Sequence, residues 1–373
     1  MPPVVIDVRT AQDLRDVVHR AVQALVEGRL VALPTETVYG LAARALDEQA
    51  VTRLIEVKGR GPGHPLPLAI RSADEAWDYA PDISPLGERL ARRCWPGPVT
   101  LVVDNSHPES LVKQLPAAVR KAVSPHDTIG LRVPGHQIVL DVLQMLAGPL
   151  ALSSANRHGQ PEACTAEEVL ASLSDDVELV LDDGRSRFGQ PSSVVRVDGK
   201  RLEILRAGVV PEKAIKRLSS LLILFVCTGN TCRSPMAEWI CRSMLAQRLG
   251  CKLEDLEDHG VLVRSAGLAA VVGGRPSPEA IQVTSQMRLD LQDHETQPLT
   301  EPLVRHADII YTMTRSHWQT ITAEWPGAAE RTKLLSADCS DISDPIGGTV
   351  ECYQQCAMQI QAALKTRLEE LDF

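Results

Sequence analysis

The chain has 373 residues and a formal net charge of −9, a length at which two domains are the usual organisation. The excess of acidic over basic residues argues against a broad nucleic-acid-binding face. Nine cysteines without a regular framework suit a reducing cytosol. Neither a signal peptide, a bilayer-length apolar run nor a zinc-type Cys/His cluster is found in the sequence. We therefore expect a cytoplasmic protein without a membrane association or a bound metal.

In chain order, the first predicted helix ends at Gly28 and carries an apolar stripe of Leu14, Val17, Val18, Val22 and Leu25. A strand follows at 30–33. Further strands are predicted at "VTLVV" near 100, "IGLRV" near 130 and "PLALS" near 150. "SSVVRV" and "LEILR" then indicate a hairpin before a polar helix at 211–220. This mixture of elements predicts an α/β domain.

After residue 220 the pattern begins again. It gives a strand "LLILFV", a helix closed by Gly250, a strand "VLVRSAG", a helix "PEAIQVTSQM", strands "ADIIYTMT" and "TKLL", and a long final helix. Regular alternation of strand and helix predicts a Rossmann-like domain with a parallel sheet and right-handed crossovers. We expect one domain at 1–217 and a second at 218–373, without internal repeats.

The string "VCTGNTCRSPMAE" lies between the first strand and the first helix of the second domain. Gly229 allows the backbone to curl, so that successive N–H groups point inward and form an anion site with the helix N-terminus. Arg233 can bind two phosphate oxygens at once. The same donors stabilise Cys227 as a thiolate placed for attack on phosphorus, and Ser234 can donate to the sulfur. The remaining predicted loop residues are Thr228, Asn230, Thr231 and Cys232.

Such chemistry needs an acid for the leaving group, and Asp344 in "SDPIGG" offers one. Together with the cysteine loop it resembles the low-molecular-weight protein-tyrosine-phosphatase family over about 221–373. The resemblance implies that Cys227 forms a phosphocysteine, Arg233 binds phosphate and Asp344 is the general acid, with no cofactor. Arsenate reductase, which shares this fold and loop, needs further cysteines, and 252–338 contain none.

The leaving group is addressed by two features of the same sequence. The loop Asp344–Gly348 has no aromatic residue, whereas members that act on phosphotyrosine usually have one there. Thr231 stands where many of those members have an aliphatic residue. Both features resemble the protein-arginine-phosphatase branch, so phosphoarginine in proteins is the favoured substrate and phosphotyrosine remains the alternative. Thr231 can offer its hydroxyl to a guanidinium, or it can simply pack.

The first domain contains hydroxyl-rich turns and a pair of cations. "VALPTETVYG" includes Thr35 and Thr37, and "KGRGPGHP" places Lys58 and Arg60 two residues apart. In an extended loop this spacing puts both cations on one side, which suits a polyphosphate. "ALSSANRHG", "GQPSSVVRV" and "ILRAGVV" follow later in the chain.

In this order the motifs resemble the YrdC-type threonylcarbamoyl-adenylate synthases over about 10–210, which implies a twisted mixed α/β domain. Such enzymes join threonine, bicarbonate and ATP and release pyrophosphate, with Mg²⁺ as counter-ion. The resemblance implies that Thr35 and Thr37 hold threonine and that Lys58 and Arg60 hold the ATP phosphates. The nucleotide pocket is expected to be lined by Ser153, Asn156, Ser193 and Arg206.

The chain departs from the family pattern at Gly61, where proline is usual, and at His64, where asparagine is usual. Gly61 loosens the loop that carries the cations. The expected partners are threonine, bicarbonate, ATP, phosphoproteins and the tRNA threonylcarbamoyl transferase complex, and direct tRNA binding is left open. The alternative is a protein-tyrosine phosphatase whose first domain binds a nucleotide or RNA as a non-catalytic regulator.

Overall fold

The computed structural model describes residues 2–59 and 64–371. The chain divides into two compact units, Met1–Leu218 and Ser219–Phe373, and each is described by itself. Within the described residues, no helix has both the length and the apolar character needed to cross a bilayer.

The described part of the first unit has a ten-stranded sheet. Its strands are β1 (Val4–Asp7), β2 (Val31–Leu33), β3 (Gly40–Arg44), β4 (Leu68–Ala69), β5 (Val99–Asp104), β6 (Thr128–Arg132), β7 (Leu150–Ser154), β8 (Leu179–Asp182), β9 (Ser193–Asp198) and β10 (Arg201–Arg206). Its helices are α1 (Leu14–Val26), α2 (Glu48–Lys58), α3 (Ala76–Tyr79), α4 (Pro85–Cys94), α5 (Ala117–Val123), α6 (Gln137–Met145), α7 (Ala166–Leu173) and α8 (Glu212–Ser219), with a 3₁₀ turn at Leu111–Gln114.

The strand order is β1-β8-β2-β3-β7-β4-β6-β5-β9-β10, with parallel and antiparallel pairs. Helices α2, α3, α4, α5, α7 and α8 supply the core on one face of the sheet. On the other face α1 and α6 pack over β2, β3, β7 and β8. The strands β5, β6 and β9 turn their side chains on this second face into a cleft instead. The predicted mixed α/β domain is therefore confirmed, and its helices leave part of one sheet face open.

The described part of the second unit has a four-stranded sheet in the order β12-β11-β13-β14, in which all neighbours are parallel. The strands are β11 (Leu221–Cys227), β12 (Val261–Gly267), β13 (Ile309–Thr312) and β14 (Thr332–Leu334). The helices are α9 (Arg233–Leu249), α10 (Pro278–Gln286), α11 (Glu301–His306), α12 (Arg315–Glu324) and α13 (Val350–Glu369), with 3₁₀ turns at Leu253–Leu256 and Pro326–Arg331.

Strand β11 is at the centre of this unit and has a core on each side. Ile223, Phe225 and Cys227 face a core shared with α9, α10 and α13. The intervening leucines and valine face a second core with α11 and α12. A strand buried on both faces requires a continuous apolar run, which "LLILFV" provides. The predicted Rossmann-like parallel sheet is confirmed, and it places Cys227 at the carboxyl edge, where ligands bind in such folds.

Candidate active sites

The segment from Cys227 to Arg233 curls around the carboxyl end of β11. Three of its carbonyl oxygens accept hydrogen bonds from amides outside the loop at 2.9–3.0 Å: Leu268 N to Cys227 O, Ala269 N to Thr228 O, and Ser277 N to Thr231 O. A trans peptide points its N–H away from its carbonyl. The N–H groups of Thr228, Gly229 and Cys232 therefore point into the loop and form an anion nest at the start of α9.

Close packing outside the loop supports this geometry. Asn230 adopts a left-handed backbone with φ 55°, which asparagine tolerates better than most residues. Gly267 at the end of β12 lies so near that a Cβ atom on it would stand 2.6 Å from Thr228 O and 2.8 Å from Asn230 N. Only glycine lets these two segments approach so closely.

Cys227 is buried at the base of the nest, with 3% of its surface exposed. Its Sγ lies 3.0 Å from Ser234 Oγ and accepts a hydrogen bond from Asn230 N at 3.2 Å. These contacts stabilise negative charge on sulfur. The structure thus brings Cys227, Asn230 and Ser234 into contact.

A buried polar chain extends from Ser234 into the unit. Asn230 Nδ2 donates to Ser234 Oγ and to Ser265 Oγ, each at 2.9 Å, and Ser265 Oγ donates to Glu238 Oε2 at 2.7 Å. Burial raises the pKa of Glu238, and the Ser265 hydrogen bond partly offsets that rise. Neither Glu238 nor Ser265 was predicted as a site residue from the sequence. The only signal for Glu238 is that it follows Ser234 by one helical turn.

Arg233 and Asp344 meet although 111 positions separate them in the chain. Arg233 NH2 donates to Asp344 Oδ2 at 2.5 Å, and Arg233 NH1 donates to Ile342 O at 3.4 Å. The side chain of Arg233 is 5% exposed and that of Asp344 is 44% exposed. The ion pair thus joins the buried cation of the nest to a carboxylate that solvent and substrate can reach.

In the last part of the loop, Cys232 lies against α13, and Thr231 contacts Ser277 just before α10. Cys232 Sγ stands 3.4 Å from each of three hydroxyls, those of Thr231, Ser277 and Tyr353. Thr231 is only half-buried, so a substrate can contact its side chain. No group of three or more His, Cys, Asp or Glu side chains in the described ranges could hold a metal ion.

The first unit contains a cleft of about 420 Å³ on the open part of its sheet, a volume typical of small-molecule sites. Strands β5, β6 and β9 form its floor with Thr100, Val102, Gly130, Val194 and Arg196. The turn after β2, the end of β7 and the segment after it form part of its wall with Thr35, Thr37, Ser153, Ser154 and His158. Among the described lining residues there are cations and hydroxyls but no carboxylates, so the cleft favours an anionic ligand.

One chain of hydrogen bonds fixes the turn at residues 35–38 after β2, which we call the threonine turn because it contains Thr35 and Thr37. Arg132 NH2 donates to Thr37 Oγ1 at 2.9 Å, the Thr37 and Thr35 hydroxyls lie 2.8 Å apart, and Thr35 Oγ1 donates to Val38 O at 2.6 Å. Arg132 NH2 also pairs with Glu36 Oε1 at 2.7 Å. The buried Ser153 Oγ has no hydrogen-bond partner among the described residues. An incoming ligand can supply one.

Lys58 is placed differently from the sequence expectation of an extended loop. It is the last residue of α2 and shares a buried stripe with Ala50, Val51 and Leu54, because these positions recur on one face of a helix. Its Nζ donates to Ser154 O at 2.8 Å and Asn156 Oδ1 at 3.1 Å, and it also contacts Asn156 O. Lys58 and Asn156 therefore brace the turn after β7 from behind the cleft wall.

Of the other predicted residues, Arg206 lines the cleft and Ser193 does not. Ser193 is fully buried and exchanges hydrogen bonds with the backbone of Val210, at 2.9 and 3.0 Å. The preceding Ser192 lines the cleft and binds Arg206 NH2 at 3.1 Å. Burial lowers the pKa of the Arg206 guanidinium. Arg60 and Gly61 lie outside the described residues.

Several cleft residues were missed by sequence reasoning. They are Tyr39, Thr100, Arg132, Ser192 and Arg196. Arg132 and Arg196 carry a usable signal, since each is a charged residue inside an apolar strand pattern. Tyr39 and Thr100 carry none, because both residue types are ordinary in strands.

Comparisons with known proteins match each unit separately. Residues 23–208 match the Sua5–YciO–YrdC family, described as "telomere recombination". Residues 222–372 match the low molecular weight phosphotyrosine protein phosphatase family.

Curated relatives divide in the same way. Threonylcarbamoyl-AMP synthase of Pyrococcus abyssi is 38% identical over 192 residues, covering 52% of this chain and 54% of that protein. The chain thus spans about half the length of that relative. The synthase of Chromohalobacter salexigens is 34% identical over 184 residues, 49% of this chain and 94% of that protein. Protein-arginine-phosphatase of Bacillus subtilis is 33% identical over 153 residues, 40% of this chain and 95% of that protein.

Among solved structures, P. abyssi Sua5 complexed with L-threonine matches with a TM-score of 0.52 and 26% identity, covering 70% of this chain and 92% of that one. Both resemblances inferred from the motifs are confirmed. They favour two enzyme domains over a phosphatase with a non-catalytic regulator. The chain therefore belongs to the threonylcarbamoyl-AMP synthase family through its first unit and to the low-molecular-weight phosphatase family, related to protein-arginine phosphatase, through its second.

Proposed function

We propose that the chain is a bifunctional cytoplasmic enzyme, with a synthase at 1–217 and a phosphatase at 218–373. The synthase forms threonylcarbamoyl-AMP from threonine, bicarbonate and ATP and releases pyrophosphate. The phosphatase removes phosphoryl groups from proteins. The cysteine at the base of a nest of inward N–H groups carries the phosphatase proposal. The cleft lined by cations and hydroxyls carries the synthase proposal.

In the synthase, the threonine turn supplies fixed hydroxyls for threonine, Ser153 offers its hydroxyl to the nucleotide, and Arg206 and Arg60 attract the ATP phosphates. Lys58 and Asn156 hold the end of β7, which presents Ser153. Ser193 fixes the segment that presents Ser192. The reaction requires close placement of the threonine carbamate against the α-phosphorus, together with charge neutralisation, and no covalent participation by the protein.

Mg²⁺ enters this scheme with the nucleotide. The described cleft lining contains no carboxylate, and oxygen ligands of that kind are what Mg²⁺ takes from proteins. The described residues therefore do not form a resident Mg²⁺ site. The ion is part of the substrate MgATP, and the arginines neutralise the remaining phosphate charge.

The synthase proposal predicts that the chain releases pyrophosphate only when threonine, bicarbonate and ATP are all present. We expect Glu36→Gln to lower kcat/KM about tenfold, because Arg132 and the Gly135 amide, which donates to Glu36 Oε2 at 2.9 Å, lose a charged acceptor. A coupled pyrophosphate assay measures both results. The exposed Glu109→Gln is the control. Binding of ATP without pyrophosphate release in the unmodified chain would favour the alternative in which the first domain is a non-catalytic regulator.

In the phosphatase, the Cys227 thiolate attacks phosphorus while Arg233 and the loop amides hold the phosphoryl oxygens. The bond from phosphorus to the leaving nitrogen or oxygen breaks, and Asp344 gives that atom a proton. Water then attacks the phosphocysteine and gives a proton to Asp344, the phosphorus–sulfur bond breaks, and phosphate and the Cys227 thiolate are released. No cofactor takes part in either step.

Phosphoarginine is the proposed residue in the protein substrate, and Thr231 is the proposed selector. We expect a higher kcat/KM for phosphoarginine peptides than for phosphotyrosine peptides. Thr231→Ile should lower kcat/KM for phosphoarginine peptides about tenfold, because it removes a hydroxyl partner of the guanidinium. It should leave kcat/KM for phosphotyrosine peptides little changed. The exposed Thr320→Ile is the matched control. A preference for phosphotyrosine that is indifferent to Thr231 would identify a tyrosine phosphatase instead.

The adenylate product is proposed to pass to the tRNA threonylcarbamoyl transferase complex. Its diffusible nature and the net charge of −9 favour transfer of the small molecule over stable capture of tRNA by this chain. Direct contact with tRNA is left as an open part of the proposal.

A further inference from the structure

His317 is a buried histidine that the catalytic scheme above does not use. It lies in the first turn of α12, whose N-cap is Thr314, and only 6% of its surface is exposed. Its Nδ1 stands 3.0 Å from Thr314 Oγ1, and its Nε2 stands 2.9 Å from Thr228 Oγ1. The ring thus connects the start of α12 to the residue that follows the nucleophile.

Burial and a nearby cation keep the ring neutral. Burial and the nearby Arg233 guanidinium lower the pKa of His317 to about 4, against the opposing effect of Asp344 and Asp341. A neutral imidazole has one donor and one acceptor nitrogen. Thr314 Oγ1 also accepts the His317 amide at 3.3 Å as the helix cap. The orientation of the ring is therefore fixed by its own helix, independently of the phosphate loop.

Thr228 is consequently held at two points. Its carbonyl oxygen accepts from Ala269 N at 2.9 Å, and its hydroxyl contacts His317 Nε2 at 2.9 Å. The carbonyl contact sets the direction of the Gly229 N–H, which is opposite to it. The side-chain contact prevents the residue from rotating about its backbone, which would turn this N–H away from the nest.

We propose that His317 is a positioning residue of the phosphatase, which holds Thr228 so that the anion nest is formed before phosphate arrives. This inference rests on the proposed phosphatase function. It assigns His317 no proton transfer and no contact with substrate. Preorganised donors stabilise a transferring phosphoryl group better than donors that must reorient.

The test uses the whole chain with p-nitrophenyl phosphate as substrate and orthovanadate as inhibitor. We expect His317→Phe and Thr228→Val each to lower kcat/KM and raise the vanadate inhibition constant about tenfold. The double variant should lose no more than either single variant, because both remove the same contact. His317→Gln, whose amide can occupy the position of Nε2, and Thr228→Ser should restore most of the activity.

Two matched controls isolate the contact. The exposed His259→Phe and Thr320→Val should have unchanged kinetics. Losses that multiply in the double variant, or failure of His317→Gln and Thr228→Ser to restore activity, would overturn the proposal. If His317→Phe does not fold, equal activity of Thr228→Val and Thr228→Ser overturns it, and a tenfold gap supports it.

The failure of this inference can be told apart from the failure of the function on which it rests. An unmodified chain that neither hydrolyses p-nitrophenyl phosphate nor forms a phosphocysteine contradicts the phosphatase. In that case calorimetric titration with orthovanadate still measures the affinity of the nest for an anion. Equal affinity in the unmodified chain and in Thr228→Val would then refute the role of His317.

Discussion

Cys227→Ser is expected to lower phosphatase turnover by a factor of about 10⁴ or more. The nest supplies hydrogen bonds that stabilise a thiolate, whereas a serine hydroxyl in the same place remains protonated and is a poor nucleophile. The described loop offers no imidazole or carboxylate within hydrogen-bond distance of Cys227 Sγ that could act as its base. The measurement is kcat on p-nitrophenyl phosphate, together with mass spectrometry of the acid-quenched enzyme for a phosphocysteine.

Two controls accompany this measurement. Cys339→Ser changes an exposed thiol and should have no effect on turnover. Pyrophosphate release by the first unit should also be unchanged in Cys227→Ser. Residual turnover above about 1% of the unmodified rate would contradict covalent catalysis by Cys227 and would point to direct attack by water.

Lys58→Met is expected to have the second largest effect, on the synthase. Its ammonium group donates to acceptors of Ser154 and Asn156 in a fully buried place. An apolar side chain leaves those carbonyls without their charged partner, at a cost of about 3 kcal/mol in the free energy of unfolding. We also expect pyrophosphate release to fall about 100-fold, because the end of β7, which carries Ser153, loses its brace.

Lys58→Arg and the exposed Lys121→Met make the comparison specific. Arginine keeps the charge but does not match the tetrahedral donors of lysine, so partial activity is expected, and Lys121→Met should behave like the unmodified chain. Activity and the midpoint of chemical unfolding are measured on the same samples. Normal pyrophosphate release by a correctly folded Lys58→Met would show that neither the brace nor a phosphate contact of Lys58 is needed.

The phosphatase loop could be predicted from sequence because its parts are contiguous. Cys227, Gly229 and Arg233 occupy one turn between a strand and a helix, so local chemistry defines the site. Asp344 was accessible through its Asp-Pro-x-Gly-Gly context. His317 was not, since a single histidine at the start of a helix has no local feature that separates a loop support from a core residue.

The synthase cleft was harder to predict because a strand changes face at every residue. Ser192 and Ser193 are adjacent, and only the register of β9 against β5 decides which of them faces the ligand. For Lys58, the predicted extended loop was wrong because the helical periodicity of the preceding residues continues to this position. Its spacing from Leu54 indicates a helix, whereas an extended loop was assumed for the pair with Arg60.

The half-covered sheet of the first unit determines which substitutions alter folding and ligand binding together. The floor of the cleft belongs to the hydrogen-bonded ladder of β5, β6 and β9, and Ser153 and Ser154 of the wall belong to the ladder of β7 with β3. Thr35 and Thr37 lie outside the ladder. A substitution at either of these threonines can therefore change ligand binding while the strand pairing is kept.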